Sequence, residues 1–138
     1  MTQKITTFFM FVGERHGRAE EAMNYYTSLF KDSRILEIEH YEAGEEGVEG
    51  TVKHAVFSLD GQEFIAMDGY RESPFTFTPS ISLFVQCETI AEVNWFFKKL
   101  SDGGKVLMPL NDYPFSEKFG WVEDKFGISW QLSLVTNW

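Results

Sequence analysis

Apolar and polar residues alternate along the first half of the chain in the order strand, helix, strand, strand, strand. Short β-branched and aromatic runs bounded by Gly, Asp or Glu predict the strands. Ala22, Met23, Tyr26 and Phe30 recur at a spacing that places them on one face of a helix. The predicted elements are the strand Ile5–Val12, the helix Arg18–Phe30, the strand Ser33–Tyr41, and the strands Val52–Leu59 and Gln62–Met67.

Two local signals refine this first half. Asp60-Gly61 separates the last two apolar runs, and this dipeptide favours a tight β-hairpin. In the strand Ser33–Tyr41, the more apolar alternate set predicts that Leu36 and Ile38 face the core, although Ile35 blurs that register. The acidic, Gly-rich segment Glu42–Gly50 is expected to be a mobile hairpin loop.

The same order of elements restarts after a Pro-containing linker. Thr89-Ile90-Ala91-Glu92 is a capping box, in which the side chains of Thr89 and Glu92 satisfy free amide donors at the start of a helix. Pro109 predicts that its strand lies at a sheet edge or ends early. The predicted elements are the strand Ser80–Gln86, the helix Thr89–Leu100, the strand Lys105–Leu110, a loop over Asn111–Phe119, and the strands Gly120–Glu123 and Ile128–Val135.

Both halves therefore follow the order βαβββ, which is an internal repeat of structure with little repeat of residues. The expected fold class is α+β, with two βαβββ modules forming a curved mixed sheet around a cup. The chain is interpreted as one domain, 1–138, with module one at about 1–69, a linker at 70–79 and module two at about 80–138. A ferredoxin-like α+β sandwich, which shares short βαβ pieces, is the alternative.

Composition narrows the classes of function. The chain has 138 residues, 43% of them apolar and 17% aromatic, which is enough for a folded core. Its net charge of −9 argues against nucleic acid and anionic membranes as partners. No apolar run reaches the roughly 20 residues of a membrane-spanning helix. Cys87 is the single cysteine, so no intrachain disulfide can form. A cytoplasmic location is expected.

A resemblance to a known family adds to this picture. The segment from Tyr113 to Leu132, YPFSEKFGWVEDKFGISWQL, and the helix around Ala22-Met23 resemble the PhnB-like branch of the vicinal oxygen chelate superfamily. That superfamily includes glyoxalase I and bleomycin-resistance proteins, and members of this branch are often labelled 3-demethylubiquinone 3-methyltransferase-like. The resemblance implies a glyoxalase-like fold and a homodimer.

The resemblance also implies a divalent metal held by His, Gln or Glu on the first and last strands of each module. Matching the pattern places Thr7 and Ser80 at the two first-strand positions and Gln131 at the last strand of module two. Ile65 or Ala66 occupies the remaining position. Two hydroxyls and one amide are weak ligands for such a metal. We therefore predict no metal site and no cofactor.

Other candidate chemistry is weaker. His40 and His54 flank the acidic loop, and adjacent strands could bring them together at an opportunistic metal site, although an inert surface pair is the favoured interpretation. The methyltransferase label lacks a G-x-G-x-x-G loop, because Gly103-Gly104 closes a helix instead of opening one. Cys87 precedes a helix, but a buried apolar role is favoured over a reactive thiol. Catalytic residues are unknown, and the sequence leaves open whether the protein is an enzyme.

The aromatic residues are the most informative remaining feature. Most of them are expected in the core, yet a cup would also expose aromatic and polar side chains towards a small molecule. The favoured hypothesis is metal-free binding of a small, planar or apolar molecule. A metal-dependent enzyme and a methyltransferase are the alternatives. The candidate ligand-binding residues are Gln131, Trp121, Ser82, Asp68 and Phe64.

Overall fold

The computed structural model describes residues 3–134, and the chain divides after Thr76 into two compact units. Each unit has the predicted order βαβββ, which confirms the α+β class and the two modules. Module one contains β1 (Thr7–Phe11), a short 3-10 helix (Gly13–Arg15), α1 (Ala19–Leu29), β2 (Arg34–His40), β3 (Val52–Leu59) and β4 (Gln62–Asp68). Module two contains β5 (Ser82–Cys87), α2 (Ile90–Ser101), β6 (Lys105–Tyr113), β7 (Ser116–Glu123) and β8 (Ser129–Leu134).

Each module has a mixed four-stranded sheet with the same topology. The strand order is β1-β4-β3-β2 in module one and β5-β8-β7-β6 in module two. In both sheets the first strand runs parallel to the last, and the other pairs are antiparallel. Neither helix in the described part of the chain is long and apolar enough to cross a membrane.

The core of module one is built from aromatic rings on the sheet face that α1 covers. Phe64 stacks on Phe9 and Phe57, with ring centroids 5.7 and 5.4 Å apart. From the helix, Ala22, Met23 and Tyr26 are buried, as the helical spacing predicts. The predicted helix extends one residue too far at each end, because Arg18 and Phe30 are its flanking residues.

The carboxylate of Asp68 fixes the start of α1. Its Oδ1 accepts hydrogen bonds from the backbone N–H groups of Gly17 and Ala19, at 2.8 and 3.2 Å. Its Oδ2 accepts from the N–H of Val52 at 2.9 Å. The N-cap residue, Arg18, makes no side-chain capping bond, so Asp68 supplies this function from a distant strand.

The register of β2 differs from the prediction at Leu36. A β-bulge between Ile35 and Glu37 leaves Leu36 without a partner on β3, and its side chain is 40% exposed. Ile35 pairs with Phe57 and Ile38 with Ala55, both of which are core residues. The prediction that Leu36 faces inward was therefore wrong, because the extra residue moves Ile35 onto the side of Ile38.

The turn at Asp60-Gly61 confirms the hairpin signal. Their φ angles are +50° and +83°, and two successive positive values are typical of a type I′ turn. In module two, Thr89 caps α2 by accepting from the N–H of Glu92 at 3.1 Å. The Glu92 carboxylate accepts from the N–H of Glu88 at 3.3 Å, one residue before the donor expected in a capping box.

The predicted loop over Asn111–Phe119 was wrong, because β6 continues to Tyr113 and β7 begins at Ser116. Aromatic packing accounts for this extended hairpin. The ring of Phe115 lies 5.6 Å from that of Tyr113 and 4.8 Å from that of Phe119. Pro109 lies in β6, an outer strand of its sheet, as expected. The predicted strand Ile128–Val135 corresponds to β8, and Val135 lies outside the described residues.

We predict that Asp68→Asn lowers the free energy of unfolding by about 2–3 kcal/mol, because a buried charged acceptor is replaced by an amide that opposes one of the three N–H donors. Chemical denaturation monitored by circular dichroism measures the loss. The matched control is Asp112→Asn, whose side chain is exposed on β6. Equal stability of the two variants would contradict a structural role for Asp68.

Candidate functional site

Module two presents one sheet face to α2 and a second face away from it. Gly120 identifies the first, because a Cβ added there would lie 2.6 Å from the ring of Phe97 in α2. Successive strand residues point to opposite faces, so Trp121 points away from the helix. We call the face that carries Trp121 and its cross-strand neighbours the far face.

Three side chains form a row across the far face: the predicted site residues Gln131 and Trp121, and Phe84, which was not among the predicted site residues. Gln131 on β8 is paired with Trp121 on β7 and with Phe84 on β5. Cross-strand neighbours of this kind lie about 5 Å apart at Cβ. Phe84 is 40% exposed, and the other two are partly exposed. An amide is thus flanked by two aromatic rings on a surface that a ligand can reach.

A chain of hydrogen bonds holds the indole of Trp121. Its Nε1–H donates to Ser129 Oγ at 2.7 Å, and Ser129 Oγ lies 2.6 Å from Ser82 Oγ. Ser82 Oγ lies 3.5 Å from the carbonyl oxygen of Pro79. If each hydroxyl donates to the next acceptor, every proton in the chain has a partner. The structure therefore assigns Ser82 a part in orienting Trp121.

Gln131 has hydrogen-bonding capacity to spare. Among residues 3–134, none forms a hydrogen bond with its side-chain amide. A primary amide offers two donors and one acceptor oxygen, and a partly buried amide gains from a partner that satisfies them. Gln131 can thus orient a bound polar group, while the neighbouring rings contact its apolar part.

Asp68 and Phe64, the other two predicted ligand-binding residues, are on β4. Both are in module one, and the Asp68 side chain is almost completely buried with its oxygens used by backbone amides. Phe64 is buried between Phe9 and Phe57. We therefore leave both residues out of the candidate site.

Sequence reasoning missed Ser129 and gave no role to the pairing of Phe84. The signal was present as two alternating sets, Ser82-x-Phe84 and Ser129-x-Gln131. Only the parallel register of β5 and β8, which pairs Ser82 with Ser129, brings these sets together. Pairing between strands about 47 residues apart leaves no local trace in the sequence.

The residues at the metal positions implied by the resemblance do not fit a divalent metal. They supply the hydroxyls of Thr7 and Ser80, the amide of Gln131, and an apolar side chain at Ile65 or Ala66. Metals of this class prefer imidazole, carboxylate or thiolate ligands. Within the described residues, no three or more His, Cys, Asp and Glu side chains form a group that could hold a metal ion.

The two strand histidines have separate partners. His40 Nε2 lies 2.6 Å from a carboxylate oxygen of Glu20 in α1. His54 Nδ1 lies 3.3 Å from a carboxylate oxygen of Glu37 in β2. Each ring forms its own pair with a glutamate.

The two βαβββ modules make this an α+β protein with a glyoxalase-like fold. A family model described as 3-demethylubiquinone-9 3-methyltransferase matches residues 3–133. The chain belongs to this PhnB-like family. None of the curated proteins matches the chain.

Solved structures agree with this assignment. A putative 3-demethylubiquinone-9 3-methyltransferase, PhnB protein, from Bacillus cereus is 56% identical, with a TM-score of 0.91 over 96% of this chain and 100% of that one. Protein PA1353 from Pseudomonas aeruginosa is 21% identical, with a TM-score of 0.81 over 99% and 100% of the two chains. A glyoxylase/bleomycin resistance protein/dioxygenase domain from Frankia sp. EAN1pec is 14% identical, with a TM-score of 0.64 over 99% of each chain.

Cys87 is unsuited to nucleophilic chemistry at neutral pH. The side chain is fully buried at the end of β5. Burial, followed by the charge of the Glu92 carboxylate and a hydrogen bond to it, raises the pKa of the Cys87 thiol to about 12. The thiolate is the reactive form, so the native thiol is inert near neutrality.

We predict that Cys87 in the native protein reacts with iodoacetamide at pH 8 about a thousandfold more slowly than in denaturant, because a pKa three units higher lowers the thiolate fraction by about that factor. Mass spectrometry of the alkylated protein over time measures both rates. The same raised pKa makes the free energy of unfolding fall as pH rises from about 9 towards 12, because only the unfolded state ionises there. Rapid native alkylation at pH 8 would contradict this prediction.

Proposed function

We propose that this protein binds a small, planar, mainly apolar molecule on the far face of module two, without a metal ion. The observation that carries the proposal is the partly buried amide of Gln131, which lies between Trp121 and Phe84 in the strand register and has no hydrogen-bond partner within residues 3–134. Small-molecule sites combine aromatic side chains with a few placed polar groups, and this row has that composition.

Each group has a separate part in the proposed recognition. The indole of Trp121, held through Ser129 and Ser82, offers a flat surface whose orientation is fixed before the ligand arrives. A pre-oriented ring loses little conformational freedom on binding. The Gln131 amide pairs with a carbonyl or amide of the ligand. The face therefore favours an aromatic ring that carries a carboxamide or a similar group.

The charge of the protein supports a neutral ligand. The chain carries a net charge of −9, which disfavours the approach of anions in general. Around Trp121 the far face has an amide, two hydroxyls and an indole, which are uncharged. Glu123, which pairs with Ser129, adds a carboxylate to the same face and further disfavours an anionic ligand. A neutral aromatic amide is accordingly the natural probe for the site.

We also propose that the protein is cytoplasmic and that it forms a homodimer, the second of which the family resemblance implies. The support is the exposed apolar surface of outer strands. On β1, Phe8 is 50% and Met10 is 37% exposed. On β6, Val106 is 50% and Leu107 is 38% exposed. Outer strands with exposed apolar side chains are commonly covered in native proteins, and a second copy of the chain would do so.

Metal-dependent catalysis and methyl transfer are the alternative activities. The first has the fold resemblance as its support, and fold alone does not define activity. The second has the description of the matching family as its support. Metal-dependent catalysis predicts that a divalent metal stabilises the folded protein, and methyl transfer predicts that S-adenosylmethionine does so.

We predict that titration with benzamide or 2-naphthamide shifts the Gln131 side-chain amide and Trp121 indole resonances in 1H-15N spectra, with the larger 2-naphthamide binding more tightly. Gln131→Leu should weaken 2-naphthamide by about tenfold, the loss expected when one polar contact is removed. The matched control is Gln62→Leu, an exposed residue of β4 in module one. Equal binding by the two variants, or shifts confined to other residues, would contradict the proposed site.

We predict no concentration-dependent rise in melting temperature with Mn²⁺, Ni²⁺, Zn²⁺, Fe²⁺ or S-adenosylmethionine, because the residues at the implied metal positions are weak ligands and the sequence has no G-x-G-x-x-G loop. A ligand that bound the folded state would stabilise it by an amount that grows with the ratio of its concentration to its Kd. Differential scanning fluorimetry of untagged protein measures these shifts. A saturable rise with one of the metals would favour metal-dependent catalysis. A rise with S-adenosylmethionine would favour methyl transfer.

A further inference from the structure

A polar groove lies in module one. Its volume is about 500 Å³, within the range of small-molecule sites. It opens beside β2, β3 and β4, on residues adjacent in sequence to the buried Phe57 and Phe64 and therefore on the opposite face of the sheet. Its lining consists of Asp32, Ser33, Arg34, Leu36, Ser58 and Glu63.

The strand register places opposite charges on either side of a hydroxyl. Arg34 on β2 pairs with Ser58 on β3, and Ser58 pairs with Glu63 on β4. Strands in a sheet are about 4.8 Å apart, so the backbones of Arg34 and Glu63 are separated by about 10 Å. This separation leaves room above Ser58 for a small molecule between the two charged side chains.

The charged groups of the groove are not used by the fold. Over residues 3–134, no ion pair or side-chain hydrogen bond engages the Arg34 guanidinium or the carboxylates of Asp32 and Glu63. Some charges elsewhere on this module form ion pairs, as Lys53 does with Glu45 and Arg18 with Glu21. The Arg34 guanidinium and the two carboxylates of the groove form none within the described residues, so they are open to an external partner.

The floor of the groove also has a free polar group. Ser58 is only 9% exposed, and its hydroxyl has no hydrogen-bond partner among the described side chains and backbone groups. Ser33 differs, because its Oγ donates to the Lys31 carbonyl at 2.9 Å and accepts from the Asp60 N–H at 3.0 Å. Ser33 therefore forms part of the wall, whereas Ser58 is available to a ligand.

We propose that this groove binds a zwitterion of the amino-acid type. The Arg34 fork takes the carboxylate, for which a planar guanidinium has matching geometry. Glu63 and Asp32 take the ammonium group, and Ser58 donates to or accepts from the ligand above it. Leu36, exposed by the β-bulge, contacts an apolar side chain of the ligand.

The balance of charge selects this class over simpler ions. The groove has two acidic groups and one basic group. A simple anion would be repelled by the carboxylates of Asp32 and Glu63. A simple cation would be repelled by Arg34 and would leave its guanidinium without a partner. A molecule that carries both charges satisfies all three groups. The inference uses residues of module one only and is independent of the proposed function of the far face.

The test is a titration of 15N-labelled protein with L-leucine at pH 7, followed by 1H-15N spectra. Saturable shifts are expected at residues 32–36, 58 and 63. N-acetyl-L-leucine lacks the ammonium group and L-leucinamide lacks the carboxylate, so each should bind at least about tenfold more weakly. Either analogue binding as well as leucine, or no saturable shift with leucine, would overturn the proposal.

Variants separate the groove from general charge effects. Arg34→Gln and Glu63→Gln should each weaken leucine by about tenfold, while the matched changes Arg71→Gln and Glu72→Gln in the exposed linker leave it unchanged. Equal losses in both sets would overturn the assignment to the groove. If a groove variant fails to fold, the comparison of leucine with its two analogues on the unaltered protein still decides. Shifts at Trp121 and Gln131 instead would place leucine on the far face and refute the groove.

Discussion

The buried carboxylate of Asp68 is the contact on which the local structure of module one depends. A charge removed from water is costly unless hydrogen bonds satisfy it, and three backbone amides do so here. Those amides belong to the segment before α1, to the first residue of α1 and to β3, so one side chain of β4 joins all of them. Module two has a counterpart in Asp124, whose oxygens accept from the N–H groups of Phe126 and Ile128 and from the indole of Trp130.

The hydrogen bonds of these buried acids bear on which side chains can bind a ligand. Asp68 lies on the last strand of its module, next to the position where the superfamily resemblance implies a metal ligand, so sequence reasoning treated it as a candidate. The structure shows that both oxygens are already engaged in holding the chain. A carboxylate whose two oxygens both accept backbone hydrogen bonds is a poor candidate for binding a ligand. Within residues 3–134, the groups with unused donors and acceptors include Gln131 in module two and Arg34, Ser58 and Glu63 in module one.

How far the sequence could predict the structure depended on the range of each interaction. Asp60-Gly61 and Thr89 were predicted correctly, because a type I′ turn and a helix cap involve residues within a few positions. The bulge at Leu36 was missed, since it is set by pairing with β3. The extension of β6 was missed because aromatic contacts across the hairpin continue the strand beyond Pro109, while Pro114 lies in the turn. For the site, Trp121 and Gln131 were predicted and prove to be neighbours, but Ser129 required the long-range register of β5 and β8.

The two modules share a topology but not the chemistry of corresponding surfaces. In each module, the sheet face opposite the helix carries a row of paired side chains across the three strands that follow the helix, β2–β4 or β6–β8. Module two has Trp121 and Gln131 in that row, whereas module one has Arg34, Ser58 and Glu63. Repetition of the backbone preserves the register of a row, while each side chain can change without disturbing the core on the opposite face. Under the two proposals, the far face offers uncharged groups to an aromatic ligand, and the groove offers charged groups to an amphoteric one. Both proposals place recognition on the outward rows, since the inward rows serve packing in both modules.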